Sequence, residues 1–432
     1  MAPPPPDRTP CPQAGSADFH YRQGSLHCED VAVRALATNF GTPLYVYSHA
    51  SIRDRFAAVR AAFGPDAHVC YAVKANPNLA LLRLLAGLGA GFDLVSGGEL
   101  QRLLAAGVDP RTATFAGVAK ERWEIELGVA HGVRAFQVES AHELPLLAAA
   151  GAAAGRRVPV ALRLNPGIAV DTHRYIATAR ADSKFGVDLA QAGAFVDAIR
   201  ADLNLQLVGY HVHLGSQLRS VEPYAEALQR VLEFMAGAKN RRDGIQHYDL
   251  GGGFGIGYGQ GAPLDVGALA RAVLPPLQAA GLRPQLEPGR YLVGDAGILV
   301  TAVLGHKRVG ATAFVLVDAA MNDLVRPALY GAEHPIVPVR DDRRPLGRVD
   351  VVGPVCESGD FLARARELPE VAAGEWLAIL GAGAYGSSMA SNYNSRRRPA
   401  EVLVDGTRVQ VIRRREELEH LWAAELPIKE PT

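Results

Sequence analysis

The sequence predicts a parallel (β/α)8 barrel followed by an all-β domain, and three observations carry that prediction. Short β-branched or aromatic runs alternate with Ala/Leu-rich stretches of helical periodicity, the rhythm of βα units around a parallel sheet. Eight such runs fall in roughly 250 residues, the repeat number and size of a closed barrel. From about residue 296 the rhythm changes to strand-like segments with little helix between them, which reads as a separate β domain. A doubly wound open sheet shares the first observation; the count of eight favours the barrel.

Taken in order, MAPPPPDRTPCPQAGS (1–16) has no apolar signal core and no basic amphipathic pattern, and is expected to be a disordered Pro-rich tail. Residues 17–45 carry DFHYRQGSLHCEDV with a QGS hairpin turn, expected to pack with the β domain. The barrel is expected over 46–295, its strands being HVCYAVK (68–74), GFDLVS (91–96), ATFAG (113–117), AFQVES (135–140), PVALRLN (159–165), LVGYHVH (207–213), IQHYDLG (245–251) and RPQLEPG (283–289). The β domain is expected over 296–425, built from ILVTAVLGHKRV, TAFVLVDAA, GRVDVVGP, EWLAILG and AEVLVDGTRVQVIRR.

Composition narrows the function class. Lys plus Arg (45) balances Asp plus Glu (45) in 432 residues, so bulk charge gives no reason to expect nucleic acid or an anionic membrane as partner. No apolar run approaches the roughly 18 residues of a membrane span. Four cysteines, with neither a CxxC pair nor zinc spacing, point to a reducing compartment, the cytoplasm. A soluble enzyme acting on a small molecule fits best.

In a barrel of this kind chemistry gathers at the C-terminal ends of the strands. The residues there are Lys74, Asp93 and Ser96, Glu139, Arg163 and Asn165, His213, Gly251, Gly252 and Gly253, and Glu287. Lys74, after the apolar CYAV, is costly to bury without a partner or a covalent role; a Schiff base to a carbonyl cofactor removes that cost, and a snorkelling surface lysine is the plain alternative. GGGFG (251–255) exposes backbone N–H groups suited to a phosphate, or is simply a tight turn. It matches neither GxxxxGK[ST] nor GxGxxG, which disfavours nucleotides. Glu287 in LEPGR suits a protonated pyridine nitrogen, or an ion pair with Arg290. His211 and His213 share a strand face and could ligate a metal, but no third ligand stands at a suggestive spacing, and no metal is expected.

These motifs coincide with those of a known family. Lys74 in YAVKAN, GFDLVSGGEL, SKFG (183–186), HLGSQ (213–217), GGGFG, EPGR (287–290), MNDLVRPALYGA (321–332), CESGD (356–360), GAYG (383–386) and SNYNSRRRPAEVLVDG (391–406) together resemble the diaminopimelate decarboxylases, pyridoxal-phosphate enzymes with a barrel and a β domain. The resemblance runs from about residue 18 to 424. It implies that Lys74 forms the Schiff base, that His213 stacks on the cofactor ring and that Glu287 partners its nitrogen. Asp93, Arg163 and Tyr385 would add cofactor contacts, with Ser216, Gly251, Gly252, Gly253, Gly289 and Arg290 around the phosphate. Arg290, Arg326 and Tyr330 resemble the substrate-carboxylate contacts, and Tyr385 touches substrate as well. Cys356, the proton donor, and Glu357 resemble the pair that serves the neighbouring subunit's site, which implies a homodimer with shared active sites.

The chain departs from the family at HVHLGSQ, where isoleucine more often follows the second histidine, at ILGAGAYG, where an aspartate commonly precedes AGAY, and at NPGIAVDTH (165–173). The function implied is conversion of meso-2,6-diaminopimelate to L-lysine and carbon dioxide, the last step of lysine biosynthesis. Ornithine and arginine decarboxylases of this fold need acids for a distal cation, whereas the bidentate fork of Arg326 suits a distal carboxylate and Glu357 suits its amine. The alternative is a paralogous decarboxylase of another amino acid on the same scaffold. For Cys356 the plain alternative is a small buried hydrophobe.

Overall fold

The computed structural model describes residues 8–11, 13–168, 184–341 and 343–426, and the chain divides into two compact units. One gathers the chain through Ser51, Tyr258–Gln260 and everything from Gly294; the other is Ile52–Gly257 with Gly261–Val293.

The first unit opens with an antiparallel meander of β1 (Arg8–Pro10), β2 (Phe19–Arg22), β3 (Ser25–Cys28) and β4 (Val31–Ala32). Arg8–Pro10 belongs to the stretch expected to be disordered, yet it pairs with β2, Thr9 opposite Tyr21. The reason is burial: Cys11 and Ala14 pack with Phe19, Tyr21, Leu26 and Cys28, and a proline-rich chain has little entropy to lose on ordering. Residues 1–7 and 12 of that expected tail lie outside the described residues. β5 (Leu44–Ser48) is central to this unit's sheet, antiparallel to β15 (Gly297–Val309) and parallel to β21 (Ala400–Asp405), so the expected boundary at 45/46 falls inside a strand.

The barrel unit supplies β6 (His68–Ala72), β7 (Gly91–Leu94), β8 (Ala113–Phe115), β9 (Ala135–Val138), β10 (Val158–Asn165), β11 (Val187–Asp188), β12 (Leu205–His211), β13 (His247–Asp249) and β14 (Arg283–Leu286). All pair in parallel; β14 meets β6 and β9 meets β10, closing eight strands, while β11 adds to the end of β10. The strands are buried on both faces, and their near-continuous apolar runs follow from that. Two interruptions are paired by shape. A Cβ on Gly91 would meet the His68 ring, and one on Gly209 would meet the His247 ring. Each glycine leaves room for the imidazole of its neighbouring strand.

The remaining strands are β15 (Gly297–Val309), β16 (Thr312–Val317), β17 (Ile336–Pro338), β18 (Leu346–Val352), β19 (Phe361–Pro369), β20 (Trp376–Ile379), β21 (Ala400–Asp405) and β22 (Arg408–Arg413). The sheet order is β19-β18-β16-β15-β5-β21-β22, with β20 also on β15 and β17 on β20. The buried first half of β15 lines a core with Leu44, Val46, Val337 and Val402. β17 and β19 are not anticipated from sequence: IVP is three residues long, and the charges of FLARARELP mask its alternation.

Candidate active site

The mouth of the barrel brings together most of the residues singled out in its sequence. Lys74 stands in a single 3-10 turn, Val73–Ala75, just past β6 rather than inside a strand. Tyr71 Oη donates to the Asn76 carbonyl at 3.0 Å and Asn78 caps the next helix through the Ala80 N–H, so the turn is pinned on its far side. Lys74 Nζ donates to Asp93 Oδ2 at 2.8 Å; the lysine side chain is 36% exposed and the aspartate fully buried. Burial and the nearby Glu287 push Asp93 up to about 6, against the pull of Lys74. Ser96 serves as a helix cap, accepting from the Glu99 N–H, and burial lifts Glu99 to about 7.

Glu287, just past β14, lies beside His211, considered from sequence only as a metal ligand, and beside Gln137 and Asp249, which the sequence reading did not single out. His211 Nε2 is 3.2 Å from its Oε2, and Gln137 Nε2 donates to its Oε1 and, at 3.1 Å, to Asp249 Oδ2. Burial and the charge of Glu287 hold Asp249 well above the ordinary carboxylate range. Burial raises Glu287 too, but the neighbouring His211 and Lys74 outweigh it, leaving Glu287 below its usual range. Two touching buried carboxyls cannot both ionise cheaply, so Glu287 carries the charge and Asp249 the proton. His211 therefore groups with Asp249 and Glu287, donor atoms within 4.8 Å of one another, not with His213.

His213 is held by the glycine loop: the Gly252 N–H donates to its Nδ1 at 3.2 Å. Burial, reinforced by Lys74, lowers its pKa well below the usual value, so the ring stays neutral. The loop cannot carry side chains. A Cβ at Gly251 would strike the Val212 carbonyl, one at Gly252 the Glu287 carbonyl, and one at Gly253 the Gly215 carbonyl. The Glu287 N–H bonds Gly251 O at 2.8 Å, tying this loop to the EPGR turn. Gly289 packs against Ala72 and Ala75, where an added Cβ would sit 3.1 and 3.0 Å from theirs. Arg290 Nη2 donates to Ser216 Oγ at 3.0 Å. Arg163 pairs with Glu139 at 2.8 Å and stacks over Phe185; Asn165 accepts from the Gly167 N–H.

A second network supports β9. The buried Lys120 Nζ donates to Gly117 O, Gln137 O and Glu143 Oε2 at 2.6 to 2.7 Å, and Glu143 Oε1 accepts from the Glu139 N–H. It fixes the strand end from which Gln137 faces the Glu287 cluster and Glu139 faces Arg163. Nothing in the local sequence marks Lys120 and Glu143 as partners 23 residues apart.

The other expected residues lie in the β unit. Arg326 opens a short helix that ends at Tyr330 with Gly331 left-handed behind it. Tyr385 has φ of 58°. Cys356 is exposed, while Cys11, Cys28 and Cys70 are buried. Asp360 accepts from the Met321 and Val355 N–H groups, and Asn394 from that of Cys356, which holds the CESGD loop that also carries Glu357. Ser183 and residues 169–173 of the atypical loop lie outside the described residues.

The barrel residues fit pyridoxal phosphate. Asp93 Oδ1 and His211 Nδ1 are buried polar atoms with no hydrogen-bond partner among the described residues, Glu287 is an acceptor held below its usual range beside them, and the glycine loop presents backbone without side chains.

Residues 49–294 match the family model described as the pyridoxal binding domain of pyridoxal-dependent decarboxylases. The chain is 45% identical to the diaminopimelate decarboxylase of Aquifex aeolicus, covering 95% of this chain and 98% of that one. It is 46% identical to that of Pseudomonas aeruginosa, covering 94% and 98%. The crystal structure of diaminopimelate decarboxylase from Helicobacter pylori complexed with L-lysine superposes with a TM-score of 0.87 at 39% identity, covering 91% and 99%.

Proposed function

We propose, from the premise that this chain belongs to the diaminopimelate decarboxylase family of pyridoxal-dependent enzymes, that it converts meso-2,6-diaminopimelate to L-lysine and carbon dioxide as the last step of lysine biosynthesis. The observation that carries the site reading is the pairing of Lys74 with a buried Asp93 in the same barrel mouth as the buried Glu287.

Bound pyridoxal phosphate supplies the electron sink that makes loss of carbon dioxide feasible. Lys74 Nζ would be the amine that holds the cofactor through its carbonyl carbon. Asp93 keeps that amine directed into the mouth. Neutral His213 would offer a flat face to the cofactor ring, and Glu287 would partner its nitrogen. Ser216, Gly251, Gly252, Gly253, Gly289 and Arg290 would hold the phosphate, with Arg163 and Tyr385 as further contacts. Arg290, Arg326 and Tyr330 take the carboxylate that remains, Tyr385 also touches substrate, and Glu357 takes the distal amine. The Cys356 thiol returns a proton to the carbon that lost its carboxylate. Cys356 and Glu357 serve the site of the partner subunit in a homodimer, and the enzyme works in the cytoplasm; among the described residues no helix is long and apolar enough to cross a membrane.

Carbon dioxide release from meso-diaminopimelate, L-ornithine, L-arginine and L-lysine, with purified protein and added pyridoxal phosphate, tests the reading. Release from meso-diaminopimelate alone, with lysine as product, is expected. Release from another substrate would move the function to a paralogous decarboxylase.

A further inference from the structure

Arg326 is 6% exposed, and both hydrogens of its Nη1 are engaged within the β unit. One points to Tyr258 Oη at 2.6 Å and the other to His334 Nε2 at 2.8 Å. The guanidinium carbon also lies 5.1 Å from the centroid of the Tyr258 ring, which meets the His334 ring edge-on at 79°. His334 is fully buried, and its Nδ1 faces the Leu380 carbonyl at 2.9 Å.

These partners dictate the state of the imidazole. A carbonyl oxygen only accepts, so Nδ1 carries the hydrogen; a guanidinium only donates, so Nε2 carries the lone pair. His334 is therefore a neutral ring of one tautomer, because a second proton would set N–H against N–H and cation against cation. Tyr258 oxygen likewise accepts from Arg326. Both holders orient the guanidinium through neutral atoms and leave its charge intact, whereas a carboxylate at either position would pair with it.

We propose that Tyr258 and His334 are positioning residues that aim Arg326 and so make the site specific for a substrate bearing a carboxylate at its far end. This rests on the reading above that Arg326 takes that carboxylate. Tyr258 comes from the GGGFGIGYGQ stretch within the barrel sequence but groups with the β unit, so the holder of the specificity residue is a short excursion of the barrel chain.

Removing one carboxylate from a diamino diacid leaves the other, so L-lysine retains the far carboxylate and cadaverine is the same molecule without it. The test compares holoenzyme of the wild type, Tyr258→Phe and His334→Phe for competitive inhibition of meso-diaminopimelate turnover by L-lysine and by cadaverine. In both variants the KM for meso-diaminopimelate and the inhibition constant of lysine are expected to rise about tenfold, the loss of one charge-assisted hydrogen bond. The kcat and the cadaverine constant are expected to stay within about twofold. An unchanged lysine constant, or an equal rise for cadaverine, would overturn the proposal. Tyr258→Phe deletes one oxygen and decides alone should His334→Phe fail to fold. Arg326→Lys, measured in parallel, separates the two claims. If it leaves lysine inhibition intact, the underlying reading of Arg326 fails; if it weakens lysine and Tyr258→Phe does not, only the positioning role fails.

Discussion

Lys74 shows how a single residue is oriented by its surroundings. An amine 2.8 Å from a fully buried acid is held in one direction at the barrel mouth, and that acid is itself lifted to about 6 by burial and by Glu287. Replacing Lys74 with Ala should abolish turnover together with the visible absorbance that the cofactor takes on when bonded to the lysine. Measured turnover in that variant would refute the assignment. Cys356→Ala should behave differently: the absorbance persists while kcat falls about a hundredfold or more, the usual contribution of a placed proton donor. A kcat equal to wild type would remove Cys356 from the mechanism. At this scale the sequence pointed to the right end of each barrel strand, because Lys74, Asp93, His213 and Glu287 interrupt apolar runs where the fold opens. It did not point to Gln137 or Asp249, since a polar residue in a strand carries no mark of which distant carboxyl it faces.

At the scale of elements, the barrel depends on matched shapes between neighbouring strands. Gly209 has no room for a Cβ because the His247 ring of the adjacent strand fills that space, and Gly91 stands in the same relation to His68. Gly209→Ala should therefore cost about 1 to 3 kcal/mol, as overpacking of a dense core does, read as a lower denaturant midpoint with an unchanged slope. An unaltered midpoint would mean that β12 and β13 can shift apart freely. The eight barrel strands were legible as apolar runs. β5 was not anticipated: the expected boundary at 45/46 cuts LYVYS, and only its pairing with β15 and β21 makes it part of the β domain. β17 and β19 were hidden, one by brevity and the other by a largely exposed middle carrying Arg364, Arg366 and Glu367.

For the whole molecule, buried titratable groups outside the mouth pull stability in opposite directions over one pH range. Burial lowers His68 and His247 from the usual 6.5 to about 4, so the unfolded chain binds their protons more readily and stability is lost as pH falls from about 6.5 towards 4. Burial raises Asp323 from 3.8 to about 7, so the folded chain binds that proton more readily and stability is lost as pH rises through about 7. The two effects offset each other between these limits. Asp323→Asn should uncover the histidine slope, making the variant gain stability relative to wild type as pH rises from about 5 to 8, by at most about 1.4 kcal/mol per pH unit. His247→Gln should tilt the curve the other way. Denaturant titrations at pH 5, 6, 7 and 8 decide it, and a pH-independent difference between Asp323→Asn and wild type would contradict the assignment.

The sequence by itself determined the barrel, the β domain that follows it and the polar residues that interrupt the strand ends, because apolar periodicity, glycine loops and an interrupting lysine are local signals that survive in one dimension. Only the tertiary structure decided which partner each buried polar group has. It gave Glu287 its charge through His211 and Asp249, made Lys120 a prop for β9, returned Tyr258 to the β unit beside Arg326 and His334, and drew Arg8–Pro10 into a sheet. Hydrogen bonds and desolvation act across space between residues tens to hundreds apart in the chain, and no pattern along the chain encodes a pairing whose geometry exists only once the strands have closed.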